Sequence, residues 1–351
     1  MRRWMVATLA AALLATAASC ADDSPPDEPA AARALPALAW TGDELFVFGG
    51  LDLGPADFVT DGLLLDPATG GTTRVPSLDL GDPIAFPQAV VVGREAFVIG
   101  QRCSAFLEGD ACRPGTTAMA AFDLDADTWA EVAIDVPAGQ TEATGYRLLG
   151  VTSDDRIVLR LGRDSFSTYD VVSHGWTQVP SPGPVNGSAC LMGDTVVAIT
   201  RPRGDRGAPL RLFDLAAAPE RWTVTDAAPS DTGPALTAVA CSDTLALAFG
   251  PEAAPAVFHP GTGWRLTSPR PDGYLDNQAV AWTDTEFVFA DVEFGARAQA
   301  YNPGTNRWRE LTAPPRQVWS VVWTGAELIG TPWLTADQPP LAHTPYVLDL
   351  S

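Results

Sequence analysis

Lysine is absent from this sequence and histidine is nearly so. All 22 basic side chains are arginines against 43 acidic ones, histidine occurs three times, and the net charge is −21. A surface this acidic repels phosphate backbones, so nucleic acid is not expected as a partner. The three histidines (His174, His259 and His343) are dispersed along the chain, whereas metal ligands must converge, so no metal or other cofactor is expected. No stretch of helical period stands out, which removes helical folds. GxSxG, HExxH, P-loop and GxGxxG patterns are missing, as is CxxC, so no catalytic residue is assigned and a thioredoxin-like role has no support.

Glycine and proline are abundant, 31 of each. They punctuate short β-prone runs, the signature of antiparallel strands joined by tight turns. The clearest example is Gln278–Pro315. Ala279–Trp282 reads as a strand, Thr283–Thr285 as a turn, and Phe287–Phe289 as a second strand. Gln299–Tyr301 reads as a third, Asn302–Asn306 as a turn and Trp308–Leu311 as a fourth. The same unit recurs along the chain. Its first tight turn is marked by Glu44, Glu95, Arg156, Thr195, Thr244, Glu286 and Glu327, which are 39 to 61 residues apart. Seven such units, each about the size of a propeller blade, fit a repeat architecture in one domain over 33–351. Most units close alike, with an aromatic ending the third strand and a tryptophan opening the fourth. The pairs are Phe122/Trp129, Tyr169/Trp176, Phe213/Trp222, Phe258/Trp264 and Tyr301/Trp308. Unit 1 has Thr72 at the tryptophan position, and Trp40, Trp282 and Trp323 sit in first strands.

These endings (YNPGTNRW, FDLDADTW), the WTGDELFVFGG start at Trp40–Gly50 and the unit spacing resemble kelch-type β-propellers related to the central domain of galactose oxidase. The resemblance covers about 33–351 and implies an all-β propeller of seven four-stranded antiparallel blades. The copper chemistry of galactose oxidase is not carried over, because the histidines are dispersed and the cysteines have other roles. Sialidase-type Asp boxes are absent. Asp123, Asp125 and Asp127 alternate like calcium ligands but occupy the ordinary kelch turn before Trp129, without the glycine and glutamate of a calcium loop. The last unit ends with Tyr346–Leu350, a third strand with no fourth after it. Either Ala31–Leu38 supplies the missing strand or the seventh blade has three, since an open edge leaves backbone groups unpaired; the alternative to seven blades is six with an irregular closure.

The N-terminus has Met1-Arg2-Arg3, an apolar or small run from Trp4 to Ser19, and then Cys20. This is the layout of a secretory signal over 1–19. Ala17-Ala18-Ser19-Cys20 resembles a bacterial lipobox with Ala17 where leucine is usual, which implies that Cys20 is lipidated. Ala21–Ala32, acidic and proline-rich, then reads as a flexible tether. An exported lipoprotein on the outer face of the cell membrane is expected, a monomer attached through lipid alone.

With Cys20 lipidated, four cysteines remain. Cys103 and Cys112 flank a loop insertion in unit 2 and are expected to bridge. Cys190 and Cys241 precede the first turns of units 4 and 5. The resemblance places these first strands side by side near the axis, where they are either a bridge or two buried thiols.

Trp319 and Trp333 match no repeated position, and Phe106 lies in the insertion Arg102–Thr117. Aromatics on loops of a rigid scaffold stack on sugars or anchor protein contacts, so these three are the candidate binding residues. The expected function is a membrane-anchored, extracytoplasmic binding or scaffold propeller recognising an envelope protein or glycan through rim loops. The alternative is an extracellular glycan-acting enzyme with a pair of carboxylates at the mouth of the central channel.

Overall fold

A computed structural model gives the architecture. It describes residues 33–52, 57–103, 117–134, 146–162, 165–180, 188–199, 210–216, 221–226, 228–229, 236–250, 253–271, 278–291, 297–314, 318–332 and 345–350. The chain is an all-β, seven-bladed β-propeller.

Each blade is an antiparallel sheet whose strands follow chain order from its first to its last. Blade 1 is Ala37–Trp40, Leu45–Phe48, Gly62–Leu65 and Thr72–Val75; blade 2 is Ile84–Val92, Glu95–Arg102, Thr117–Asp123 and Thr128–Val132. Blade 3 is Tyr146–Val151, Arg156–Leu161, Ser165–Asp170 and Gly175–Val179; blade 4 is Ala189–Met192, Thr195–Ile199, Leu210–Asp214 and Thr223–Val224. Blade 5 is Ala238–Cys241, Ala246–Phe249, Ala256–His259 and Gly263–Leu266; blade 6 is Gln278–Trp282, Phe287–Asp291, Ala298–Asn302 and Arg307–Glu310. Blade 7 has three strands among the described residues, Val318–Trp323, Leu328–Pro332 and Tyr346–Leu348. The N-terminal segment does not complete it there. Ala37–Trp40 is the first strand of blade 1, and Arg33–Ala34 pairs instead with Leu51–Asp52 in a small satellite sheet.

Two local chemistries make the turn between the first and second strands. In blades 2 and 4, Gly93 and Gly193 adopt positive φ (59° and 53°) between directly paired strand ends, as a two-residue hairpin requires. In five other blades a hydroxyl side chain closes the turn. Thr41, Thr152, Ser242, Thr283 and Thr324 each bond across it, as when the Thr41 hydroxyl accepts the Glu44 N–H at 3.0 Å. Asp43, Thr285 and Ala326, each just before a residue that marked its unit in the sequence, lie inside these turns.

The turn between the third and fourth strands is held by an Asx-type acceptor. The carboxylate of Asp123 accepts the N–H groups of Asp125 and Ala126, both at 2.9 Å, and Asp66, Asp170, Asp214 and Asn302 repeat the arrangement. Those hydrogen bonds hold Asp66, Asp123 and Asp170 below the ordinary carboxylate pKa; for Asp66 the Thr69 hydroxyl contributes most. The former calcium-like triad is thus turn structure at Asp123 and an ion pair at Asp125, which meets Arg94 at 2.7 Å. His174 and His259 are turn residues too, bonded to the Tyr169 hydroxyl and the Gly261 N–H at 3.0 Å each.

The blades pack through seven apolar layers, one between each neighbouring pair, so the ring closes on itself. Phe46, Phe48 and Phe122 fill the layer between blades 1 and 2; Phe287, Phe289 and Tyr301 fill that between blades 5 and 6. Among the described residues, the layer joining blade 7 back to blade 1 has the fewest buried members, Leu45, Val47 and Ile329.

The fourth-strand tryptophans stitch one blade to the previous one. The indole N–H of Trp129 donates to Pro76 O at 2.8 Å, Trp176 to Ala133 O at 2.8 Å and Trp264 to Asp226 O at 2.8 Å; Trp222 donates to Pro180 O. Each acceptor lies just beyond the fourth strand of the preceding blade. Trp308 departs from the pattern, because its indole N–H is buried without an acceptor among the described residues. Blade 1, with Thr72 at this place, has no such stitch to blade 7.

Candidate functional site

First strands pair on one side only, so their other edges face the central channel with unpaired backbone groups. Side chains from the preceding blade cap some of these. The amide oxygen of Gln88 accepts the Leu148 N–H at 2.7 Å, and the Ser188 hydroxyl accepts the Val239 N–H at 2.5 Å. A disulfide between Cys190 and Cys241, with Cα atoms 5.7 Å apart, ties the first strands of blades 4 and 5 directly. Of the two alternatives open in the sequence, the bridge is therefore the one formed.

Two cavities occupy the channel. One, of about 520 Å³, is walled by blades 3 to 6 and includes Leu149, Ser188, Cys190, Cys241 and Trp282. The other, of about 620 Å³, is walled by blades 1, 2, 3, 6 and 7 and includes Phe86, Gln88, Gln101, Tyr146 and Trp319. They meet at Arg147, Leu148 and Val280, which line both. Both volumes are in the range of small-molecule sites.

Three first strands slip register, each on the channel. The pairing shifts between Ala85 and Gln88 in blade 2, between Leu148 and Gly150 in blade 3, and between Val318 and Ser320 in blade 7. The residues passed over are Phe86, Pro87, Leu149 and Trp319, and all four line a cavity. A bulge inserts an unpaired residue and re-aims its side chain, which is why bulges gather beside active and binding sites.

Phe86 shows the effect most strongly. Its φ is 49°, a conformation a bulky residue rarely takes, and its ring is 42% exposed where most large apolar side chains are buried. The Tyr146 hydroxyl donates to the carbonyls of Ala85, at 2.9 Å, and Phe86, and so holds this strained backbone across the blade boundary. Phe58 meets the Phe86 ring edge to face at 6.0 Å. Burial pushes the Tyr146 phenol up, so it remains a neutral donor.

Arg147 is the one formally charged residue among the described residues that line either cavity. Its side chain is open to the channel, yet the surrounding walls desolvate it and lower its pKa. A guanidinium nevertheless stays charged. No aspartate or glutamate lies among those lining residues.

The candidates named from sequence separate accordingly. Trp319 is on the channel, in the bulge of blade 7. Cys103 is buried beside Phe58 and Ala85 and is disulfide-bonded. Its expected partner Cys112 lies outside the described residues, as do Cys20, Phe106 and Trp333. Phe86, Gln88, Gln101, Tyr146 and Arg147 were not singled out from the sequence. The legible signal was Arg147 itself, a charged residue in a first strand (Tyr146–Val151), where the first strands of the other units carry none. No protein-family model matches the chain, and no curated protein matches it in sequence.

Proposed function

We propose that this propeller is a binding or scaffold protein that takes its ligand at the channel, and that it belongs with the kelch-type propellers related to the central domain of galactose oxidase. In this reading the chain is exported, lipidated at Cys20 and held on the outer face of the membrane, where it recognises an envelope protein or glycan. The disulfides at Cys190–Cys241 and at Cys103 suit an oxidising compartment. The observation that carries the binding assignment is the convergence of three first-strand bulges on one channel. Strain and register slips are costly, and here they deliver Phe86, Leu149 and Trp319 to a common lumen. Trp319 and Phe86 offer ring faces for a sugar or an apolar side chain, with the Gln88 and Gln101 side chains beside them. Trp333 and Phe106 extend the proposal to the loops that follow second strands. The glycan-acting alternative needs two carboxylates roughly 5–10 Å apart. The described channel lining holds none, so binding is favoured over hydrolysis.

A glycan array and a crosslinking capture from the native envelope, run with full-length wild type, Trp319→Ala and Phe86→Ala, test this reading. Binding that is saturable in wild type and lost in both folded variants supports it. Equal binding by all three, or turnover of a glycan without retention, refutes it.

A further inference from the structure

A positive charge in a confined channel has to be balanced by something. The Arg147 side chain forms no hydrogen bond or ion pair with any described residue. The register of blade 3 also sets it directly opposite Arg160 on the adjacent strand. Like charges directly opposed across a strand pair are destabilising. Arg160 has a partner for its own Nε–H, the Gly162 carbonyl at 3.1 Å, and Arg147 does not. Other arginines of the chain pair with carboxylates at the surface, as Arg309 does with Glu286 at 2.8 Å. At Arg147 no carboxylate is present among the described lining residues of either cavity. Low-dielectric walls strengthen the field of such a charge, so the lumen attracts anions although the protein as a whole is strongly acidic.

We propose that Arg147 is the counter-ion for the anionic group, a carboxylate or a phosphate, of the glycan that enters the channel. The proposal rests on the reading of the channel as the ligand site and names the ligand's charge. Arg147 lies where the two cavities meet, so a ligand seated in either one reaches it. The guanidinium fork matches both oxyanions and grips either in a bidentate manner. The aromatic walls at Trp319, Tyr146 and Trp282 then pack on the rest of the ligand.

The test uses full-length protein titrated with sodium glucuronate, inorganic phosphate and neutral glucose against sodium chloride at matched ionic strength. Intrinsic tryptophan fluorescence and thermal unfolding are followed, since Trp282 and Trp319 are on the channel. The expected result is saturable binding of glucuronate or phosphate, with no response to glucose or to chloride beyond ionic strength. Arg147→Gln should weaken it by about tenfold or more, with Arg147→Lys intermediate. In chloride alone Arg147→Gln should unfold at or above the wild-type temperature, because it removes a desolvated charge. Glucuronate alone responding identifies a carboxylate ligand, and phosphate alone a phosphorylated one. Absence of saturation by both anions, or unchanged affinity in Arg147→Gln, overturns the proposal. Trp319→Ala separates the two readings. Ligand retention that depends on Trp319 but not on Arg147 keeps the channel as the site and removes the charge assignment. Dependence on neither removes both.

Discussion

The tryptophan stitches allow one interaction to be weighed inside a single molecule. Trp129 and Trp308 hold equivalent places in blades 2 and 6, and both are packed among aromatics. Trp129 has Phe48 and Phe122 at 4.8 and 5.0 Å; Trp308 has Tyr301 and Phe289 at 4.9 and 5.5 Å. They differ in the indole N–H, which is bonded at 2.8 Å to Pro76 O in the first and has no acceptor among the described residues in the second. Replacing each with phenylalanine removes a similar apolar area. At Trp129 it also removes a hydrogen bond, which contributes about 1 kcal/mol net. At Trp308 it removes a buried unsatisfied donor, whose presence costs about 1–3 kcal/mol. Trp129→Phe should therefore be more destabilising than Trp308→Phe by about 2 kcal/mol or more. Urea unfolding of the full chain, followed by circular dichroism with m held common, reads this difference. Equal losses, or a larger loss for Trp308→Phe, would refute the reasoning and mean that Trp308 finds a partner in solution.

Other consequences follow from the same geometry. Cys190 and Cys241 close a loop with a sequence separation of 51, so Cys190→Ser with Cys241→Ser should lose about 4 kcal/mol by chain entropy, seen as a lower urea midpoint; reductant should lower the wild-type midpoint at least as far, since it also opens the bridge at Cys103. Asp66, Asp123 and Asp170 have folded pKa values depressed below the ordinary carboxylate value of about 4, so their contribution is fully present above that pH and lost as pH falls through the lower folded values. Asp→Asn at all three keeps the turn acceptors and should flatten the acid limb of a stability-against-pH curve; an unchanged limb refutes the assignment. Among the described residues the layer between blades 7 and 1 has few buried members, and it lacks an indole stitch, so in the second strands amides of 328–331 should exchange with deuterium before those of Glu95–Arg102, and the reverse order would contradict the packing argument.

Much of the fold was legible because a blade is a local object. The strands of Gln278–Glu310 lie within a residue or so of where turn residues and β-prone runs placed them, since the hydroxyl and Asx turns act over three or four residues. The recurring first tight turn marked the seven units, and a repeat that cannot bury its faces alone must stack. The disulfide was less legible. Cys190 and Cys241 bond because neighbouring first strands come together at the channel, which a pair of spacings does not dictate. Trp319 was noticed for matching no repeat position, and its place in a bulge explains the mismatch.

The sequence by itself determined the seven repeated units, the chemistry of their turns and the acidic surface, because each follows from residues near one another in the chain. Only the tertiary structure decided how blade 7 meets blade 1, which first strands slip register, and that the Arg147 side chain faces the channel with no partner among the described residues. Those features arise where edges from blades far apart in sequence face one another across a shared lumen. A one-residue slip that turns Phe86 or Trp319 inward leaves no mark in a local pattern, since it depends on what the neighbouring blade presents.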